Sequence, residues 1–225
     1  MSTEHTPSSL TERAYRALEE DIVTLVLEPG QVLSENALAT SLGIGRTPVR
    51  EALQRLARER LVVVLPRRGI MVSDINVSQQ LELIRVRREL ERLMAGLSAQ
   101  RATDAECQRF VEIASAMSQS GADDDDKGFM RLDLELNQLI SHACRNEFAR
   151  GAMTLMHGLS RRFWYVHYRD VLDLPLCADL HAALAQAIGS NDPIRAAQAS
   201  DALINYIESF TRKAVDATPG SRPLA

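Results

Sequence analysis

A chain of 225 residues can bury one large core or two small ones, and 45% hydrophobic with 25% charged residues is ordinary for a globular protein. A formal net charge of −4 gives no whole-chain signal of nucleic-acid binding, so a basic surface has to be sought locally. No run approaches the roughly 18 apolar residues of a membrane span. The start, MSTEHTPSSLTERAY, lacks a basic segment followed by an apolar core, and Cys107, Cys144 and Cys177 form no CxxC pair. A cytoplasmic protein with reduced thiols is predicted, mainly α given its 4% aromatic residues and 11 glycines.

Residues 1–8 are polar and expected to be disordered. From 10 to 27, Leu10, Ala14, Leu18, Ile22 and Leu25 recur at helical spacing until Pro29-Gly30 stops the pattern. QVLS reads as short and extended. Glu35 to Leu42 is a second helix with Leu38, Ala39 and Leu42 inward, broken by Gly43. A third carries Pro48 in its first turn, where a missing N–H costs nothing, and runs to about Arg58. At 100° per residue Val49, Leu53 and Leu56 fall within about 60° of one another, while Thr47, Arg50, Gln54 and Arg58 lie on a polar arc. LVVVL and GIMV flank PRRG, which predicts a small antiparallel hairpin with a basic tip.

Ile44 to Arg68 holds seven arginines against two acids, a local charge of +5. Two short helices joined by a glycine turn and followed by a hairpin describe a winged helix-turn-helix over residues 9–74. Its third helix fits a B-DNA major groove: Thr47, Arg50 and Gln54 would face base edges, and Arg46 a phosphate at the helix start. Arg67 and Arg68 on the wing would add salt-dependent contacts to the backbone or minor groove, with Gly69 allowing the turn. The competing reading is a solvated basic face on a helical domain.

Residues 75–78 form a polar linker, and 79–215 an all-helical domain of about six helices: Leu81 to Gln100, Thr103 to Ser118, Phe129 to Cys144, Phe148 to Asp170, Leu180 to Ser190 and Pro193 to Val215. SGADDDDKG, residues 120–128, reads as a solvated loop without the ligand spacing of a calcium site. The tail, 216–225, is expected to be disordered.

The stretch LEPGQVLSENALATSLGIGRTPVREALQRLARERLVVVLPRRGIMV resembles the winged helix-turn-helix of GntR-type bacterial transcription regulators, through Pro29, Gly30, Leu33, Glu35, Leu38, Ala39, Gly43, Arg46 to Leu53 and Leu56. The resemblance implies operator binding by a homodimer, with contacts from Arg46, Thr47 and Arg50, a further one from Asn36, and the wing at Gly69. The chain departs from the family pattern at Gly45, usually serine, and at Arg60 and Leu25, where glycine is common. A left-handed Arg60 would cost about 1 kcal/mol.

RVRRELERLMAGLSA, DLELNQLISHACRN and HAALAQAIGSNDPIRAA resemble the FCD ligand-binding domain of the FadR subgroup of those regulators. Its metal-binding members hold a divalent ion with an Asp-x-x-x-His pair and two later histidines. Asp133 and His181 stand at matching places, whereas Asn137 and Leu203 replace the other two ligands, so zinc or nickel is disfavoured and a metal-free pocket is expected. Asn137 and His181 are then candidates to hydrogen-bond an effector directly. Outside the resemblance, Asp133 reads as an exposed or first-turn carboxylate and His181 as a lone helix histidine. Arg87 matches a family arginine that faces the pocket and can fork onto an organic acid; it can equally pair with Glu91 along the helix. RRFWYVHY, residues 161–168, is a packing segment by default, with His167 or Arg162 as cavity-lining candidates.

The expected function is a non-enzymatic, ligand-responsive transcription regulator, more a repressor than an activator, binding double-stranded operator DNA as a homodimer. The alternatives are an architectural DNA-binding protein without effector, or a metal-assisted helical enzyme using Asp133 and His181. The second lacks a serine elbow, HExxH or phosphate loop.

Overall fold

The computed structural model describes residues 9–65, 69–171 and 173–217. They divide into two compact units, one made of the described residues up to Asn76 together with Thr154–Val166, the other of Val77–Met153 and the described residues from His167 on. The first unit contains α1 (Leu10–Val23), β1 (Val32–Leu33), α2 (Glu35–Leu42), α3 (Arg46–Arg58), β2 (Val62–Leu65) and β3 (Gly69–Val72). The second is helical: α4 (Val77–Arg101), α5 (Asp104–Ala122), α6 (Asp126–Ala143), the ends of α7 (Glu147–Val171), α8 (Leu174–Gly189) and α9 (Pro193–Ala217).

In the first unit Ser9 caps α1 by accepting from the Glu12 N–H, and Ala14, Leu18 and Ile22 are fully buried. The helix ends at Val23, short of the predicted Leu27, because Leu25 turns left-handed at φ 61° and brings Leu27 back onto the core. Ser34 caps α2, and Gly43, left-handed at φ 62°, closes it. From α3, Val49, Ala52, Leu53 and Leu56 are fully buried, and Arg60 ends the helix turn at φ 59°, the strained conformation anticipated for it. The hairpin pairs Val62 with Val72 and Leu65 with Gly69. QVLS is more than a connector: β1 joins as a third antiparallel strand, Val32 opposite Met71, in the order β1-β3-β2. The wing tip, Pro66 to Arg68, residues 1–8 and the tail from 218 on lie outside the described residues, whereas Asp216 and Ala217, expected to belong to a disordered tail from 216 to 225, form the last residues of a helix.

A polar knot crosses this core. The Tyr15 hydroxyl donates to Glu59 at 2.9 Å, and Arg55 stacks 3.4 Å over the Tyr15 ring while pairing with Glu12 at 2.9 Å and Glu59 at 3.1 Å. Burial pushes the Glu59 carboxyl up, against the pull of these partners. Tyr15→Phe therefore costs about 1–3 kcal/mol in urea unfolding, because it strips a donor from a buried acceptor.

The six helices of the second unit outrun their sequence-based limits. α4 starts at Val77, inside the predicted linker, and α9 ends at Ala217. SGADDDDKG is mostly helical: α5 continues through Ala122, and Asp125 caps α6 by accepting from Gly128, so only Asp123 to Asp125 connect the two. The physical reason is packing. Gly121 sits so close to α8 that a Cβ would meet Ala178 at 2.7 Å, which fixes the last turn of α5 in place. Phe110, Ile113, Met117, Leu136, Ile188 and Ile204 fill the centre. All three cysteines are free and buried. Among the described residues no helix is long and apolar enough to cross a membrane.

Candidate functional site

The glycine turn presents α3 with its first turn uncovered. Gly45 occupies the N-cap without a side-chain cap, so first-turn N–H groups are left to an external acceptor, which suits a phosphate. Arg46, Thr47, Arg50 and Gln54 are exposed on the face away from Val49, Leu53 and Leu56, and Asn36 is exposed on α2. Gly69 is exposed at φ 96°, a conformation that favours glycine. Arg67 and Arg68 lie outside the described residues.

Arg50 is not a free fork. Its Nε donates to Glu35 Oε1 at 3.1 Å and its Nη2 to Oε2 at 2.8 Å, a bidentate pair between α3 and the first turn of α2. The hydrogen bond from Arg50 holds the Glu35 carboxyl below its usual range. Glu35 thus aims Arg50 and leaves its Nη1 edge for a ligand. Glu35 carries no local sequence signal for this role, since the partners are 15 residues apart and no local spacing links them. Glu35→Gln is expected to raise affinity for scrambled DNA a few-fold, by removing a carboxylate from the face that meets phosphates, and to reduce discrimination in favour of the selected site. Anisotropy titrations of the two duplexes at one salt concentration check this.

In the helical unit α6 and α8 bring Asp133, Asn137 and His181 together. His181 Nε2 lies 3.2 Å from Asp133 Oδ1, Asn137 Nδ2 donates to the same Oδ1 at 2.9 Å, and His181 Nδ1 meets the Cys177 carbonyl at 2.7 Å. Phe129 stands edge-on to the imidazole, 5.1 Å away. Burial disfavours the charged ring, but the Cys177 sulfur and the Asp133 carboxylate outweigh it and hold His181 well above its usual range.

These residues do not fit a zinc or nickel ion. Asn137 turns its amide N–H groups to Asp133, Leu203 is buried and apolar, and no group of three His, Cys, Asp or Glu side chains suited to a metal occurs among the described residues. Arg87 pairs with Glu91 at 2.6 Å, and His167 is half-buried near the end of α7. Arg162, offered by the sequence as a cavity residue, lies instead in the first unit, bonded to Ser73.

Comparison with known proteins agrees with this architecture. Residues 10–72 match the family model "Bacterial regulatory proteins, gntR family", and residues 82–206, more than half of the chain, match the "FCD domain". Among curated relatives, the HTH-type transcriptional repressor RspR of Escherichia coli is 26% identical over 187 residues, 81% of this chain and 80% of that one. The HTH-type transcriptional regulator McbR of the same organism is 28% identical over 156 residues, 69% and 67% of the two chains. The solved structure of E. coli McbR/YncC superposes with a TM-score of 0.77 at 21% identity, over 92% of this chain and 98% of that one, which shows a shared fold. The chain therefore belongs to the gntR family of bacterial regulatory proteins, as a transcription regulator that carries an FCD domain behind its winged helix-turn-helix.

Proposed function

We propose that this regulator is a cytoplasmic, ligand-responsive repressor of a metabolic operon. A homodimer reads an inverted-repeat operator, and a small organic acid bound in the helical domain releases or re-orients it. The observation that carries the DNA reading is the division of α3 into a fully buried face and an exposed arc of Arg46, Thr47, Arg50 and Gln54. Two such helices, held about one helical turn of DNA apart, would read two half-sites.

A second stripe supports the dimer. On α4, Leu83, Val86, Leu90, Leu93 and Leu97 recur at three- and four-residue spacing on the side away from the buried Ile84, Ala95 and Ser98, and Val86 and Leu93 are exposed. A helix apolar on both sides is suited to burial on both. Val86→Glu with Leu93→Glu is expected to shift the protein from dimer to monomer in sedimentation equilibrium; a variant that stays dimeric would move the seam elsewhere.

For the effector, Arg87 and the imidazole of His181 are the groups suited to a carboxylate. Coupling between effector and operator is reciprocal. Titrating a panel of small mono- and dicarboxylates against a labelled operator should find one that weakens DNA binding, and saturating operator should weaken that acid's binding by the same factor. A protein indifferent to every such ligand would favour the architectural reading.

A further inference from the structure

α7 is one continuous helix shared by both units: Thr154–Val166 packs within the DNA-binding unit, while its two ends belong to the helical one. Contacts from four residues locate its grip. Gly158 faces Leu61, so closely that a Cβ would come 2.5 Å from Leu61 Cδ1, and Leu61 is itself fully buried. Leu159 packs on the core of the winged domain, and Arg161 reaches Glu19 at 3.3 Å and Glu20 at 2.9 Å on α1. Arg162, only 2% exposed, donates from Nη1 to the Ser73 carbonyl at 2.8 Å and from Nη2 to the Ser73 hydroxyl at 3.0 Å and the Asp74 carbonyl at 3.1 Å.

Ser73 carries the connection onward. Its hydroxyl donates to the Arg60 carbonyl at 2.7 Å, with the Leu61 carbonyl at 3.1 Å, and its N–H donates to Leu61 O at 3.0 Å. Arg60 and Leu61 are the residues that turn the chain out of α3, Arg60 in a left-handed conformation. A run of hydrogen bonds therefore leads from α7 through Ser73 to the end of the helix proposed to enter the major groove. Burying a guanidinium on uncharged acceptors is costly, and an apolar side chain of similar size would avoid that cost. What the fork adds is geometry, since its three acceptors are satisfied in a single arrangement of the joint.

We propose that Arg162 is a positioning residue that, with Gly158 and Ser73, locks the end of the recognition helix to α7, and that this grip makes the protein selective for one operator spacing. This rests on the operator-binding reading above.

The test uses the full-length protein and labelled duplexes carrying one selected half-site, or two as an inverted repeat with the spacer varied one base pair at a time. Wild type should prefer one spacer by at least about tenfold, whereas Arg162→Met should bind a single half-site within about twofold of wild type with its spacer preference reduced below about threefold. Gly158→Ala, which adds a better helix former, should lose spacer preference in the same way by pushing against Leu61. Arg162→Lys, which keeps the charge without the fork, should not restore it. Should Arg162→Met fail to fold, Gly158→Ala and Ser73→Ala carry the test. Variants that fold and keep the wild-type spacer preference would overturn the proposal. If wild type binds the single half-site no better than random DNA, the operator-binding reading itself fails, and this proposal with it.

Discussion

Arg50→Ala is expected to lower affinity for the selected operator by about 30-fold to 10⁴-fold, from roughly 1–3 kcal/mol at each of two half-sites. The loss should be specific: binding to scrambled DNA changes far less, and preference at one base position per half-site relaxes. Arg46→Ala should behave differently. At the uncapped start of α3 it is placed for a phosphate, so its removal weakens all sequences alike and makes the salt dependence shallower by about two counterions per dimer. Part of the Arg50 effect belongs to Glu35, whose carboxylate loses its partner and is left facing the phosphates. Glu35→Gln combined with Arg50→Ala should recover that part, and the double-mutant cycle separates repulsion from lost recognition.

Phe110→Ala is expected to destabilise the helical unit by about 3–5 kcal/mol, a large fraction of the roughly 5–15 kcal/mol that holds a domain together. The side chain is fully buried at the packing of α5 on α8. Gly189 brings α8 against it: a Cβ there would meet the Cys107 carbonyl at 2.9 Å, Val111 at 2.9 Å and Phe110 Cβ at 3.2 Å. Backbones this close cannot collapse into the void left by a ring, so the cavity penalty is kept nearly whole. Gly189→Ala is the opposite test, overpacking the same contact at a cost of about 1–3 kcal/mol. Urea unfolding followed by circular dichroism measures both; a Phe110→Ala protein as stable as wild type would contradict this account of the core.

The winged domain was legible because its signals are local. Pro48, the buried stripe of α3 and the glycine at 43 each follow from spacing within one or two turns, and the departures at Leu25 and Arg60 pointed to the two positions that adopt positive φ. What escaped depends on distant partners. Two residues of β1 carry no periodicity and become a strand only by pairing with β3, and Arg50 meets Glu35 across 15 positions. α7 shows the limit most clearly: periodicity gave the helix, but not that its middle packs with the first unit, since Arg162 and Ser73 are 89 residues apart. The aspartate run misled because charge predicts solvation, whereas Gly121 and the Asp125 cap decided where the helices end. Asp133 and His181 were placed together by family resemblance alone; that Asn137 turns its N–H groups to Asp133 could be seen only in the structure.

Sequence-specific DNA reading by α3 is tested by selection of a random duplex library on the full-length protein, followed by anisotropy binding of the enriched site to wild type and Arg50→Ala. An inverted repeat bound tightly by wild type is expected, with the variant weakened at that site and little changed on scrambled DNA. Enrichment of no sequence, with both proteins binding all duplexes equally, would contradict sequence-specific reading and leave only a basic surface.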